Sequence, residues 1–232
     1  MQSPVATTHH HAASRFGEFP QGPAFQRVTL VLAAILSVIA FCWLAQEAAI
    51  EGEYIAMEAQ WIATVFTWRS PLMDQIMLGY TRTHDLFMVA FILGFMGFHA
   101  YQRHWPQVRW IVAVVPGGML ANLGLKAFFH RARPEFDSMI HAHGYSFPSG
   151  HAIAAALVAG WLIYATCLST RSLVWRSASV ALGLSIAVSV AFSRVYLGVH
   201  YPMDVIAGAL AGAAWILICL ALKSLLDSDA TE

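Results

Sequence analysis

Six apolar runs alternate with polar segments along the chain, and each run approaches the length of a helix that crosses a bilayer. Several runs are shorter than about 20 residues, so we expect these helices to tilt or the bilayer to thin around them. The runs cover residues 28–45, 86–101, 110–129, 151–167, 178–192 and 203–222. The pattern predicts an all-α fold, a bundle of six transmembrane helices.

The segment between the first and second runs, residues 46–85, is too polar to cross a membrane. It contains the carboxylates of Glu47, Glu51, Glu53, Glu58, Asp74 and Asp85. Apolar residues nevertheless recur at helical spacing in its first half, and again after Pro71, which is placed to start a helix. We expect two short amphipathic helices here, lying at the membrane surface or packed on the bundle as an extramembrane cap.

Composition supports a lipid environment for most of the chain. Of its residues, 58% are hydrophobic and 11% charged, whereas soluble domains carry about 25% charged residues. The formal net charge is zero, which gives no basic face for a nucleic acid. Cys42, Cys167 and Cys219 lie inside apolar runs, where they behave as small hydrophobes, and we expect no disulfides.

Both ends of the chain are polar. Residues 1–26 predict a disordered tail, in which the three histidines at 9–11 are interpreted as tail residues and not as a metal site, and residues 224–232 predict a short C-terminal tail. The first apolar run exceeds the core of a signal peptide, about 7–15 residues, and is interpreted as an uncleaved helix. Residues 27–223 then form one membrane domain with 46–85 as its cap, for which we expect no cofactor.

Three polar clusters lie at the ends of predicted spans, where charged groups are informative because burying one in a bilayer costs about 2.5–3.5 kcal/mol on insertion scales. The sequence KAFFHRARP ends the third span, Ser149-Gly150-His151 starts the fourth, and SRVYLGVHYPMD links the fifth to the sixth. Because consecutive spans alternate in direction, these ends all face one side of the membrane. The three clusters are therefore predicted to meet there.

The cations and the helix start in these clusters favour an anion with several oxygens. Lys126, Arg133 and Arg194 can share one site, and guanidinium groups match phosphate oxygens in pairs. Ser149 is a good N-cap, Gly150 permits close backbone approach, and a helix N-terminus itself attracts anions. The set indicates a phosphate site.

Two histidines in the same clusters can act on a bound phosphoryl group. A neutral imidazole can attack phosphorus, and an imidazolium can protonate the departing oxygen. The residues alone do not decide between His151 and His200, although Asp204, four positions after His200, is placed to orient that ring. Taken singly, such residues are more typical of solvated helix ends and membrane anchors. Their joint occurrence favours a function.

At these positions the sequence resembles the type-2 phosphatidic acid phosphatase superfamily, whose signature has three parts: K-x6-RP, PSGH and SR-x5-H-x3-D. Lys126 precedes Arg133-Pro134 at the required spacing, and residues 148–151 read PSGH. Ser193-Arg194, His200 and Asp204 complete the third part. All three parts match in order and spacing over residues 126–204. The resemblance does not cover the N-terminal tail or residues 46–85.

The resemblance implies an all-helical membrane phosphatase that needs no metal. It implies that His200 is the nucleophile and forms a phosphohistidine, that Asp204 orients it, and that His151 protonates the leaving group. The phosphate-holding residues would be Lys126, Arg133, Ser149, Gly150 and Arg194. Arg131 lies inside the first spacer and is left as a structural or surface cation.

Other functions share the same pocket chemistry. The superfamily also contains soluble vanadium haloperoxidases, but the apolar spans argue against that branch. A lipid phosphotransferase would differ only in the acceptor of the phosphoryl group. A carrier that grips a lipid phosphate without cleaving it is a third alternative, although binding alone has no use for Asp204 beside His200.

Orientation and substrate follow from where the charges lie. If both termini share one side, that side holds seven Lys and Arg and the other six; without Lys126, Arg133 and Arg194 the count is seven against three. The excess favours cytoplasmic termini in an inner membrane and a site on the periplasmic or extracellular side. There the site can take the head group of a lipid phosphate while the tail stays in the bilayer. Candidates are undecaprenyl diphosphate, phosphatidylglycerol phosphate, phosphatidic acid and diacylglycerol diphosphate.

Overall fold

The computed structural model describes residues 23–229, and every regular element in this range is helical. The α-helices are α1 Pro23–Ala45, α2 Ile55–Phe66, α3 Pro71–Tyr101, α4 Trp105–Phe129, α5 Gly150–Ser169, α6 Leu173–Tyr196 and α7 Pro202–Asp229, and a π-helical turn, Gln46–Ile50, follows α1. Within this range six elements are long and apolar enough to cross a membrane, α2 being too short. The predicted all-α bundle of six spans is confirmed.

The segment between the first two spans differs from the prediction in its second half. α2 is the first of the two expected amphipathic helices, but the second is the N-terminal part of α3, which runs unbroken for 31 residues. α3 begins at Pro71 as predicted, and the hydroxyl of Ser70 before it accepts a hydrogen bond from the backbone N–H of Met73 at 3.3 Å. Polar residues in its middle do not interrupt the helix because some of them, such as Thr81, line an internal cavity and therefore have a place inside the bundle.

The spanning helices are longer than the apolar runs that predicted them. α1 begins at Pro23, so residues 23–26, assigned to the tail, are helical, and α7 continues to Asp229 through most of the predicted C-terminal tail. The physical reason is that Lys, Leu and Ser residues near the chain's end sustain a helix beyond the hydrocarbon core, since helix propensity does not require an apolar side chain. The rest of the predicted tails, residues 1–22 with their three histidines and residues 230–232, lie outside the described range.

α5 lies at the centre of the bundle, packed against α6 and α7, while α1 packs on the far side of α7. The contact between α5 and α7 depends on small residues of α7, which let two helix backbones approach closely. A Cβ on Gly208 would lie 2.5 Å from the carbonyl oxygen of Ser149, and one on Gly212 would lie 2.8 Å from that of Ile153. The two glycines therefore fix the start of α5 against the first turns of α7.

The ends of α4 and α6 and the starts of α5 and α7 gather at one end of the bundle. The connection between α4 and α5, residues 130–149, has no regular secondary structure and lies across this end. It is held there by hydrogen bonds from the backbone N–H of Met139 to the carbonyl of Leu197, at 3.1 Å, and from Arg69 to the carbonyl of Asp137, at 2.9 Å. This connection forms one wall of the candidate site.

Candidate active site

A cavity of about 420 Å³ opens at the end of the bundle where these helix ends meet. Six of the eight side chains or backbone positions predicted from the sequence line it: Lys126, Arg133, Gly150, His151, Arg194 and His200. Asp204 lies behind His200, and Ser149 lies beside the cavity without lining it. Three segments far apart in the sequence therefore converge on one space, as the alternation of spans predicts.

The three cations of the cavity are held by neutral oxygens. Lys126 donates to the carbonyls of Tyr145 and Ser146. Arg133 donates to three backbone carbonyls at 2.7–3.0 Å, and Arg194 donates to the hydroxyl of Thr81 at 2.9 Å. Within the described part of the chain none of the three forms an ion pair with a carboxylate. Their charge is thus left for an anion that enters the cavity.

His200 is buried, with 2% of its surface exposed, and contacts the carboxylate of Asp204. Its Nδ1 lies 3.4 Å from Asp204 Oδ2, and its Nε2 lies 3.4 Å from a guanidinium nitrogen of Arg133. Burial lowers the pKa of His200 to about 4; Asp204 opposes this shift, and the charges of Arg133 and Arg194 add to it. The ring is therefore neutral at neutral pH, and donation from Nδ1 to Asp204 leaves Nε2 with a lone pair on the side of Arg133 and the cavity.

Asp204 is fixed from several sides. Its Oδ2 accepts a hydrogen bond from the backbone N–H of Tyr201 at 2.9 Å, and its Oδ1 accepts one from Arg131 at 2.5 Å. Its backbone carbonyl accepts from the N–H of Ser149 at 2.9 Å, which joins the starts of α5 and α7. Arg131 is buried, so it is a structural cation and the alternative of a surface cation is wrong. Its position inside the spacer of the motif does not indicate that it pairs with a carboxylate of another element.

The start of α5 agrees with the prediction in position and differs in detail. Ser149 is the N-cap residue, yet its side chain makes no capping bond; its Oγ is buried and lacks a hydrogen-bond partner among the described residues. Because its N–H is already bound to Asp204, the structure brings neither polar group of Ser149 to the cavity, and its contact with phosphate stays a prediction. Gly150 does line the cavity, and a Cβ there would lie 2.8 Å from the amide nitrogen of Asn122.

His151 lines the cavity from the first turn of α5 and meets a partner that the sequence did not indicate. Its Nε2 lies 3.0 Å from Oδ1 of Asp85, a residue of α3, and the ring of His84 lies 6.3 Å away, centre to centre. The cavity thus contains a second pairing of imidazole and carboxylate. By sequence, Asp85 belongs to the segment expected at the membrane surface. Its position beside other titratable residues at the edge of an apolar run is the one signal that could have indicated a site residue.

A buried acid of the cap also reaches the site. Glu58 of α2 has no exposed surface, accepts a hydrogen bond from Arg131, and accepts another from the backbone N–H of Met203 at 2.8 Å. By sequence, Glu58 is one of the polar residues of the segment expected at the membrane surface. The available signal was its place on the apolar face of α2, next to Met57 and Ile62, where an unpaired carboxylate would be costly.

The arrangement has the parts that transfer of a phosphoryl group needs. Cations with uncommitted charge stabilise the anion, a neutral imidazole offers a lone pair, and a second imidazole beside a carboxylate can carry a proton. Three further positively charged or titratable groups, Arg82, His141 and His143, also line the cavity.

Comparison with known proteins gives the same family for the sequence and for the fold. The model of the PAP2 superfamily matches residues 106–226. Phosphatidylglycerophosphatase B of Bacillus subtilis is 34% identical over 145 residues, which are 60% of this chain and 70% of that protein. Undecaprenyl-diphosphatase of Sulfolobus acidocaldarius is 46% identical over a shorter stretch of 72 residues, 31% of this chain and 30% of that protein.

A solved structure shares the fold over most of its length. The crystal structure of a transmembrane PAP2-type phosphatidylglycerolphosphate phosphatase from Bacillus subtilis superposes with a TM-score of 0.72 and 27% sequence identity. The match covers 82% of this chain and 96% of that one. The matched family model, the relatives and the fold agree: the chain belongs to the PAP2 superfamily.

Proposed function

We propose that this membrane phosphatase hydrolyses the phosphomonoester or diphosphate of a lipid through a phosphohistidine on His200, without a metal ion. The observation that carries the proposal is the buried, neutral His200, backed by Asp204 and facing a cavity lined by Lys126, Arg133 and Arg194, none of which forms an ion pair within the described residues. The likeness to a phosphatidylglycerophosphatase and to an undecaprenyl-diphosphatase supports a lipid head group as substrate.

The reaction proceeds in two balanced steps. In the first, Nε2 of His200 attacks the terminal phosphorus; an N–P bond forms, and the bond from that phosphorus to the leaving oxygen breaks. The leaving oxygen is the lipid alcohol oxygen of a monoester or the bridging oxygen of a diphosphate, and it takes a proton from His151. In the second, His151 accepts a proton from water, whose oxygen attacks phosphorus as the N–P bond breaks. The electron pair of the N–P bond returns to Nε2, and inorganic phosphate leaves. Lys126, Arg133 and Arg194 hold the phosphoryl oxygens throughout.

The setting of the cavity supports a lipid substrate. Asp85, in the cavity wall, is followed directly in α3 by Leu86 and Phe87, which are exposed large apolar side chains. In a bilayer such residues contact acyl chains, so successive residues of one helix belong to the cavity wall and to the lipid-facing surface. The head group can enter the cavity while the tail remains in the membrane.

We place the cavity on the periplasmic or extracellular side of a cytoplasmic membrane. The support is the excess of Lys and Arg near the opposite ends of the spans once the cavity cations are set aside. A product released there is inorganic phosphate outside the cytoplasm, and the dephosphorylated lipid stays in the outer leaflet.

The test is a phosphate-release panel with purified protein in detergent micelles. Lipid monophosphates and diphosphates are offered with and without a chelator, and His200→Ala and His151→Ala are the variants expected to be inactive. We expect release by the parent protein in both conditions and a loss of at least about 10²-fold in each variant. Full activity of either variant, or activity that requires added Mg²⁺, refutes the mechanism.

Two further readouts separate the alternative functions. Radiolabelled phosphate trapped on the parent protein and absent from His200→Ala supports the intermediate. Binding of a lipid phosphate without release across the panel indicates a carrier, and transfer of label to a second lipid in place of water indicates a phosphotransferase.

A further inference from the structure

A chain of buried charged groups leads from the cap to His200. Glu58 of α2 accepts a hydrogen bond from Nη2 of Arg131, and Nη1 of the same guanidinium donates to Oδ1 of Asp204 at 2.5 Å. Oδ2 of Asp204 in turn faces Nδ1 of His200. At most 7% of any of these four residues is exposed. Three elements distant in sequence are thereby joined through charge.

These four linked side chains have few alternative arrangements. The guanidinium of Arg131 is held between two carboxylates and lies over the ring of Tyr201, 4.3 Å from its centre. The second oxygen of Glu58 accepts from the backbone N–H of Met203, in the first turn of α7. One carboxylate thus fixes both Arg131 and the helix start that carries Asp204.

Burial of these charges is difficult to explain by stability alone. Replacing a buried ion pair with apolar groups of similar volume is often neutral or stabilising, because the desolvation of each ion offsets its attraction to the other. Burial indeed raises the pKa of Glu58, an effect that Arg131 opposes. A function for the charges themselves explains why such a network lies beside the proposed nucleophile.

We propose that Glu58 and Arg131 are positioning residues, which hold the Asp204 carboxylate, and through it His200, in the orientation and charge state that attack on phosphorus requires. The inference rests on the proposed function and assigns the cap a part in it. Arg131 neutralises the side of Asp204 turned away from the histidine, so one oxygen stays directed at Nδ1. Glu58 limits how much positive charge His200 experiences from Arg131.

Glu58 and Arg131 have opposite charges, so removing one or the other should shift the protonation of His200 in opposite directions. His200 faces Asp204 of α7, Arg133 from the connection after α4, and Arg194 of α6, with Arg131 acting across Asp204. The other charged or titratable groups that line the same cavity are Arg82 and Asp85 of α3, Lys126 of α4, His141 and His143 of the connection, and His151 of α5. Removing the positive charge of Arg131 stabilises protonated His200, whereas removing the negative charge of Glu58 disfavours it.

The experiment compares Glu58→Gln and Arg131→Gln with the parent protein, using Arg131→Lys as the variant that retains charge. We expect kcat to fall by about 10²-fold in both glutamine variants with KM nearly unchanged, because neither residue contacts the lipid and a small displacement of a nucleophile has an effect of this size. The acid limb of the rate profile should move to higher pH in Arg131→Gln and to lower pH in Glu58→Gln. Arg131→Lys should keep the limb near its original position.

Tyr196→Phe is the matched control. It removes a partly buried hydrogen bond at the same end of the bundle, from the hydroxyl of the buried Tyr196 to Asp74 at 2.7 Å, without changing any of the four charged or titratable groups. It should lower thermal stability in detergent without displacing the acid limb. If the glutamine variants behave like this control, with stability reduced and the limb unmoved, or if their kcat stays within about twofold of the parent value, the inference is wrong.

A readout without substrate separates failure of this inference from failure of the proposed function. The ¹⁵N shifts of His200, assigned by their disappearance in His200→Ala, report its tautomer and its protonation midpoint directly. Opposite displacements of that midpoint in the two glutamine variants support positioning even if no offered lipid is cleaved. Unchanged shifts overturn it even if the parent protein is an active phosphatase.

Discussion

At the scale of single residues, the environment of His200 sets the pH range in which the site can act. Its pKa is lowered from 6.5 to about 4, first by burial and then by two neighbouring guanidinium groups, against the opposing charge of Asp204. As the proposed nucleophile His200 must be neutral, so we expect its competence to be complete above about pH 5 and to be lost as pH falls through 4.

The expected profile of kcat/KM therefore keeps its acid limb near pH 4, and not near the 6.5 of a free imidazole. The same shift affects stability: between pH 6.5 and 4 only the unfolded chain takes up this proton, so the folded protein loses stability as pH falls through that window. Rate measurements from pH 3.5 to 9 test the limb, and thermal unfolding in the same buffers tests the sign. An acid limb near 6.5 would contradict the burial of His200.

The contact of Asp85 with His151 predicts an effect of substituting Asp85 on hydrolysis. In Asp85→Asn the imidazolium that protonates the leaving oxygen loses its carboxylate, and we expect hydrolysis of a lipid phosphate to slow by about tenfold or more. With p-nitrophenyl phosphate, whose leaving group departs without a proton, the loss should be much smaller.

Glu135→Gln is the control for net charge in that experiment, since Glu135 is an exposed carboxylate on the same side of the bundle. Equal losses for both substrates in Asp85→Asn, or the same loss in Glu135→Gln, would show that Asp85 acts only through the general field of the cavity.

The site residues that sequence reasoning found and those it missed differ in the kind of contact they make. The pairing of His200 with Asp204 is local, four positions apart, and could be foreseen because a helix starting near Pro202 lets Asp204 in its first turn reach back to His200. Glu58 and Arg131 are separated by 73 positions, and Glu58 and Met203 by 145, so nothing in the local pattern marks them. Ser149 shows the reverse case, in which the position is predicted correctly but the direction of the hydroxyl is set by tertiary packing.

At the scale of secondary-structure elements, the contact between α5 and α7 holds the two halves of the site together. Alternation of span direction was sufficient to predict that their starts share one side of the membrane. It could not predict how closely they approach, because that distance is set by Gly208 and Gly212 meeting the backbone of α5.

Gly208→Ala tests this contact. The new Cβ would meet a backbone carbonyl at 2.5 Å, which cannot move aside as a flexible side chain would, so we expect a loss of about 1–3 kcal/mol in stability together with reduced activity. Gly94→Ala, in α3, is the matched control, because a Cβ there has no neighbour within 4 Å. Its helix propensity improves, and its melting temperature should be unchanged or slightly higher. A Gly208→Ala protein as stable as Gly94→Ala would show that the helices can separate at little cost.

At the scale of the whole molecule, the orientation in the membrane decides which leaflet supplies the substrate. Single cysteines at Asp137 and Gln102, introduced after replacement of Cys42, Cys167 and Cys219, mark opposite ends of the bundle, since Asp137 is exposed beside the cavity and Gln102 caps the other end of α3. With intact cells and a membrane-impermeant maleimide, we expect labelling at 137 and no labelling at 102 until the cells are permeabilised. The reverse pattern would place the cavity in the cytoplasm.

The backbone hydrogen bond between Ser149 and Asp204 has a consequence for how such a protein can be altered. It ties the start of the helix that carries His151, the proposed proton donor, to the helix start that supports His200, the proposed nucleophile. The connection at 135–143, by contrast, contributes His141 and His143 to the cavity wall. The hydrogen bonds that hold it use backbone groups of Asp137, Met139 and His143, and Phe136 and Met139 also pack against apolar residues of the bundle. Exchange of that stretch between relatives is therefore a route to new head-group preferences that leaves bond cleavage intact.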